Sequence, residues 1–173
     1  RSDIVKLSEP KANLLRMWRD AGLEIGVGNF MHTRLFDADY NEYVSDVESN
    51  IKLIEPILAE KNLKLRYFSY PYLNTGKDIE TKLRFEQWLG ENSLQFIPYT
   101  FDNHEWVYAY AYDKARRQNN PALMQQVKRE FLEYMEKMAV HYEAYSNDLF
   151  GREIPQTLVL TTSRLAADSS DEL

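Results

Sequence analysis

The chain has 173 residues and not one cysteine. That absence excludes disulfides, thiolate catalysis and cysteine-ligated zinc. Clustered positive charge is equally scarce. No basic run exceeds Arg116-Arg117, and the net charge is −6. Nucleic acid and anionic membrane surfaces are therefore not expected partners, because both are held by basic patches. No apolar run approaches the length of a membrane span. No secretory leader is visible; the sequence opens at Arg1, a start compatible with a leader removed or left out. The terminal "DEL" lacks the lysine of a retention signal. Internal repeats and low-complexity tracts are also missing.

What is present describes a globular chain: 44% hydrophobic and 28% charged residues. Aromatics are plentiful, with 12 Tyr, 8 Phe and 3 Trp. Such side chains fill cores, and surplus Tyr and Trp line grooves for sugars and peptides.

Along the chain, Ser8 and Pro10 read as a helix start, and Leu14, Leu15 and Trp18 give that helix one apolar face as far as Gly22. The segment 23–30, LEIGVGNF, suggests a short strand breaking at glycine. Asp37 or Asp39 caps a second helix whose Tyr43, Val47, Ile51 and Ile54 keep a helical period, with Pro56 expected to kink or restart it. Strands are expected over 63–70, 94–100 and 156–162, and helices over 78–91, 107–118 and 121–147. Helices alternating with strands argue for parallel β/α units in a single domain, 1–173. Four strands fall short of the roughly eight of a closed barrel; an open doubly wound sheet is the alternative.

Chemistry is sparse in the residues themselves. His32, His104 and His141 show no metal-ligand spacing. GVGNFM lacks the third glycine of a dinucleotide fingerprint. Asp102, His104 and Glu105 share one loop after a strand, either as acid–base machinery or as a polar loop stabilising its own turn. Tandem Thr161, Thr162 and Ser163 follow the last strand without a neighbouring base.

Three blocks, LRYFSYPYLNTGKD, IPYTFDNHEW and FGREIPQTLVL, resemble the polysaccharide deacetylases, in the branch with a DNxxW loop and an inserted helix pair. The similarity runs from about 12 to 168. It implies a NodB-homology (β/α) barrel, here incomplete at both ends, with a helical insertion at about 107–147. It also implies a hydrolase of N-acetyl groups on carbohydrates, using a divalent metal such as zinc that polarises the amide carbonyl and activates water. The base and the metal aspartate of that family belong to a strand that would precede Arg1. In the histidine motif, N-H-T-x-S-H, this chain reads Val27-Gly28-Asn29-Phe30-Met31-His32. His32 matches one metal ligand and Gly28 stands where the other belongs. Ser69 replaces the arginine of Y-F-R-x-P, and Thr161 replaces the acid histidine of L-x-L-H.

Neither Ser nor Thr supplies a fixed cation or a near-neutral proton donor, and one imidazole does not hold a catalytic metal. The resemblance thus implies a pseudoenzyme with no resident cofactor and a groove built from Tyr72, Asp102, His104, Glu105 and Trp106. Its implied ligand is an N-acetylated oligosaccharide, and its implied setting is periplasmic or secreted. Unpaired barrel edges call for a partner or further segment to cover them. Two alternatives stand beside this reading: a hydrolase with a mechanism relocated to His32, Asp102, His104 and Glu105, and a structural interaction module presenting the helices at 107–147.

Overall fold

The computed structural model describes residues 8–173. Contacts gather the chain into two compact units, Arg1–Ile97 and Pro98–Leu173. Helix accounts for 58% of the structure and strand for 4%.

In the first unit, α1 (Glu9–Asp20) begins behind Ser8 with a proline in its first turn. Helix α2 (Tyr40–Ala59) is capped by Asp39, whose carboxylate accepts the N–H groups of Asn41 and Glu42. Pro56 neither stops nor restarts this helix. Its missing N–H falls in the last turn, and burial of Ile54, Ile57 and Leu58 holds that turn in place. The chain then forms β1 (Tyr67–Phe68), a 3-10 turn at Pro71–Leu73, α3 (Ile79–Glu91) capped by Asp78, and β2 (Gln95–Phe96). Strands β1 and β2 pair in parallel, Tyr67 with Gln95 and Phe68 with Phe96. An isolated parallel bridge joins Val27 to Phe68 on the other side of β1. Phe68, Phe85, Tyr43, Val47, Leu35 and Leu89 form the centre of the core.

The second unit holds α4 (Glu105–Arg117), α5 (Pro121–Phe150) and α6 (Arg164–Ser169). The expected helix pair is present. Asn120 caps α5 through Leu123 N–H, with Pro121 at its first position, and Gly151 closes it in the left-handed region. The pair is the scaffold of this unit: Tyr112, Val127, Phe131 and Met135 pack with Phe101 and Leu165 into its core. Helix α6, capped by Ser163, is not anticipated by the sequence reading.

The (β/α) barrel is not present, and the expected fold class is corrected accordingly. Among the described residues there is one two-stranded parallel sheet, plus the bridges Val27–Phe68 and Phe101–Leu158. The segment 63–70 shows the reason. Its period-two alternation buries Leu65 and Phe68 but leaves Lys64 and Arg66 in solvent. A strand inside a parallel barrel wall is covered on both faces and reads as apolar on both. Here the helices carry most of the buried surface, and the strands persist only where two backbones meet.

One ionic cluster in the first unit makes acid sensitivity predictable. The Glu60 carboxylate accepts from Arg16 Nη2 at 2.8 Å and from Arg19 Nη1 at 2.8 Å. Those hydrogen bonds, Arg16 first, hold its pKa down to about 2 against 4.5 ordinarily. A carboxyl depressed on folding contributes fully above its unfolded pKa, and the contribution is lost as pH falls through the folded one. Thermal melts of Glu60→Gln should therefore show a shallower loss of stability than the parent between pH 4.5 and about 2. Parallel acid slopes for the two proteins would refute this.

Candidate functional site

The residues singled out above fall into two groups, one in each unit. In the first unit the chain crosses β1 at Val27, and Ser69 N–H donates to the Val27 carbonyl at 2.8 Å. This sets the 27–32 segment beside 69–72. Gly28 is required by that approach: a Cβ there would lie 3.3 Å from the Ser69 carbonyl oxygen. Asn50 Nδ2 holds the Gly28 carbonyl at 2.9 Å, and Asp46 accepts Met31 N–H at 2.8 Å. Helix α2 thus pins the segment from behind.

His32 and Tyr72 meet on this edge, with ring centroids 4.8 Å apart at 52°. Both are exposed, and both sit at positive φ, 52° and 56°. Leu73 follows at 54°. Side chains with a Cβ rarely adopt this region, and where they do the surrounding contacts must hold them there. Asn29, behind the pair, is 5% exposed; its Nδ2 donates to Thr33 Oγ1 at 2.7 Å, while its Oδ1 has no partner.

The second group is organised by Glu105. This residue is 2% exposed, yet no arginine or lysine pairs with it among the described residues. Its carboxylate is held by hydroxyls and backbone. Thr161 Oγ1 donates to Oε2 at 2.6 Å, Thr161 N–H to the same oxygen at 3.2 Å, and Ser163 Oγ to Oε1 at 2.8 Å. Glu105 also opens α4, where the unpaired N–H groups of a helix start favour an anion. Asn103 accepts Glu105 N–H at 2.9 Å and donates to the Val159 carbonyl at 2.9 Å. His104 lies against the Tyr134 hydroxyl, 3.0 Å from its N–H and 3.3 Å from Nδ1. Asp102 is exposed, and so is Trp106, at 63%.

The loop Asp102–Trp106 and residue Thr161 are therefore neighbours, joined through Glu105. Of the two readings of that loop, the self-stabilising one fits its geometry. Glu105 is spent on a hydrogen-bonded lock, and Thr161 is its principal donor. The sequence singled out Glu105 and Thr161 without linking them. A Ser/Thr cluster with no base of its own, lying 56 residues beyond an acidic helix start, is the only sequence signal of that link.

The implied metal does not fit the residues present. Gly28 has no donor atom and His32 is engaged in the ring contact with Tyr72. Among the described residues no group of three or more His, Asp or Glu side chains is placed to hold a metal ion. Nor is any helix there long and apolar enough to cross a membrane. No family model, curated protein or solved structure matches this chain.

Proposed function

We propose that this chain is a non-catalytic, polysaccharide-deacetylase-like module that binds carbohydrate on the edge formed by His32 and Tyr72. The observation that carries the reading is the ring pair itself. Two exposed aromatic rings, fixed in left-handed backbone, offer a flat apolar face of the kind that stacks on a pyranose. Neighbouring Thr33 and Asn74 supply hydroxyl and amide groups suited to sugar hydroxyls. The lock around Glu105 supports the non-catalytic half, since a carboxylate already holding three donors is not poised to take a proton from water.

The test is titration of the intact chain with an N-acetylglucosamine tetramer, followed by NMR shifts of the Tyr72 and His32 rings. Binding should weaken by about tenfold in Tyr72→Ala, equivalent to roughly 1.4 kcal/mol. Acetate release from the same oligomer should stay at background. Unchanged affinity in Tyr72→Ala would move the site elsewhere, and metal-dependent acetate release would overturn the non-catalytic reading.

A second reading is favoured by helix α4. Trp106 and Tyr110 are 63% and 72% exposed one turn apart, a pattern suited to contact with a protein. Loss of sugar binding in Tyr72→Ala with no change in Trp106→Ala favours the first reading.

A further inference from the structure

Along the exposed side of α2 in the first unit runs an open cleft of about 390 Å³, walled by Met31, Thr33, Asp37, Glu42, Tyr43 and Asp46. A shallower depression of about 480 Å³ continues it past Ser45 and Ser49, sharing Glu42 and Asp46. Both lie within the roughly 300–1,000 Å³ of small-ligand sites. The lining is anionic and hydroxylated, and it includes no lysine or arginine. Arg34 is close by but is committed to Asp37 at 2.6 Å.

Glu42 and Asp46 have no cationic partner among the described residues. They stand at i and i+4 on one helix, a like-charge pair that disfavours the helix unless a cation lies between. The helix start accounts for Glu42 but not for Asp46, which is a turn further in. Tyr43 is a wall residue of the cleft, 1% exposed, and its hydroxyl has no partner. Buried hydroxyls are nearly always satisfied, so an unpaired one in a cleft wall is a second, independent mark of a ligand-facing surface.

We infer that this cleft takes the ammonium and hydroxyl groups of a free amino sugar, making a glucosamine oligomer, rather than its N-acetylated form, the preferred ligand. The inference rests on the carbohydrate reading above and names the sugar class. Glu42 and Asp46 receive the ammonium group, while Thr33, Ser45 and Ser49 meet ring hydroxyls. The segment 31–33 joins this cleft directly to the His32–Tyr72 edge.

Calorimetric titration decides it, using the glucosamine tetramer with its amines protonated, the N-acetylglucosamine tetramer and spermidine. At low salt the glucosamine tetramer should bind at least about tenfold more tightly than the acetylated one, and the gap should close as salt screens the charges. The double variant Glu42→Gln, Asp46→Asn should abolish the gap and leave acetylated-tetramer binding in place. The amide introduced by Asp46→Asn still offers an oxygen to Met31 N–H, and circular dichroism checks the fold. Equal affinity for the two tetramers, or a gap that survives the double variant, refutes the inference while Tyr72-dependent binding keeps the carbohydrate reading. Spermidine matching the glucosamine tetramer also refutes it, since the cleft would then recognise charge without sugar. Binding of neither tetramer removes both.

Discussion

Phe68→Ala should cost the first unit roughly 3–5 kcal/mol, the range for emptying a buried aromatic site. Phe68 is fully buried and its ring meets Tyr70 and Phe85 edge-on, each at 5.1 Å between centroids. Its backbone is the crossing point of the small sheet, bridged to Val27 on one side and paired with Phe96 on the other. The void could not be refilled cheaply, because Phe85 is already committed to Tyr43 and Trp88. Against a typical stability of about 5–15 kcal/mol, such a loss leaves the unit marginal. Urea titration followed by Trp88 fluorescence should show a much lower midpoint, with Phe68→Leu losing roughly half as much, since it keeps more of the volume. A loss below about 1 kcal/mol for Phe68→Ala would mean that the site collapses freely and is not the centre of the core.

That residue also shows what the sequence could and could not reveal. Helices were legible because their signals are local. Asp39, Asp78 and Asn120 cap where side-chain chemistry places them, and the apolar period of α5 predicts the buried stripe Val127, Phe131 and Met135. Strands were not, because a parallel ladder depends on partners distant in sequence. Alternation in 63–70 marks Leu65 and Phe68 as inward-facing but is silent on how many residues pair. The same limit explains the barrel. Family-like blocks fix which segments are extended, whereas closure requires both faces of every strand to be covered. At the candidate site, the proximity of Gly28, His32, Ser69 and Tyr72 followed from reading both segments as strand ends. The positive φ of His32 and Tyr72 had no such signal, since neither residue type announces a left-handed backbone. The short α6 hid behind a run of Ser and Thr that reads equally well as loop.

Glu105 separates a structural carboxylate from a catalytic one. Glu105→Ala should destabilise the second unit by roughly 2–4 kcal/mol, because it removes a charged acceptor serving three donors at once. The freed hydroxyls of Thr161 and Ser163 can turn to water, which keeps the loss below the sum of three charged hydrogen bonds. Hydrogen exchange should report the same event locally, with the Thr161 amide losing protection first. Glu105→Gln is the decisive companion. Its carbonyl oxygen can take the place of Oε2 and accept both Thr161 donors. Its amide can donate to Ser163 Oγ, which already accepts Ala166 N–H and has a second lone pair. Gln should therefore restore most of the stability, to within about 1 kcal/mol of the parent. A general base behaves in the opposite way, because an amide cannot accept a proton and the variant would be folded but dead. If Glu105→Gln abolishes a measurable hydrolysis while leaving the melt unchanged, the lock is catalytic machinery and the hydrolase reading returns. If Glu105→Ala unfolds the unit and Gln restores it, Thr161 and Glu105 hold α4 to the loop before α6, a structural bond at positions where the resemblance implied a sugar groove and an acid histidine.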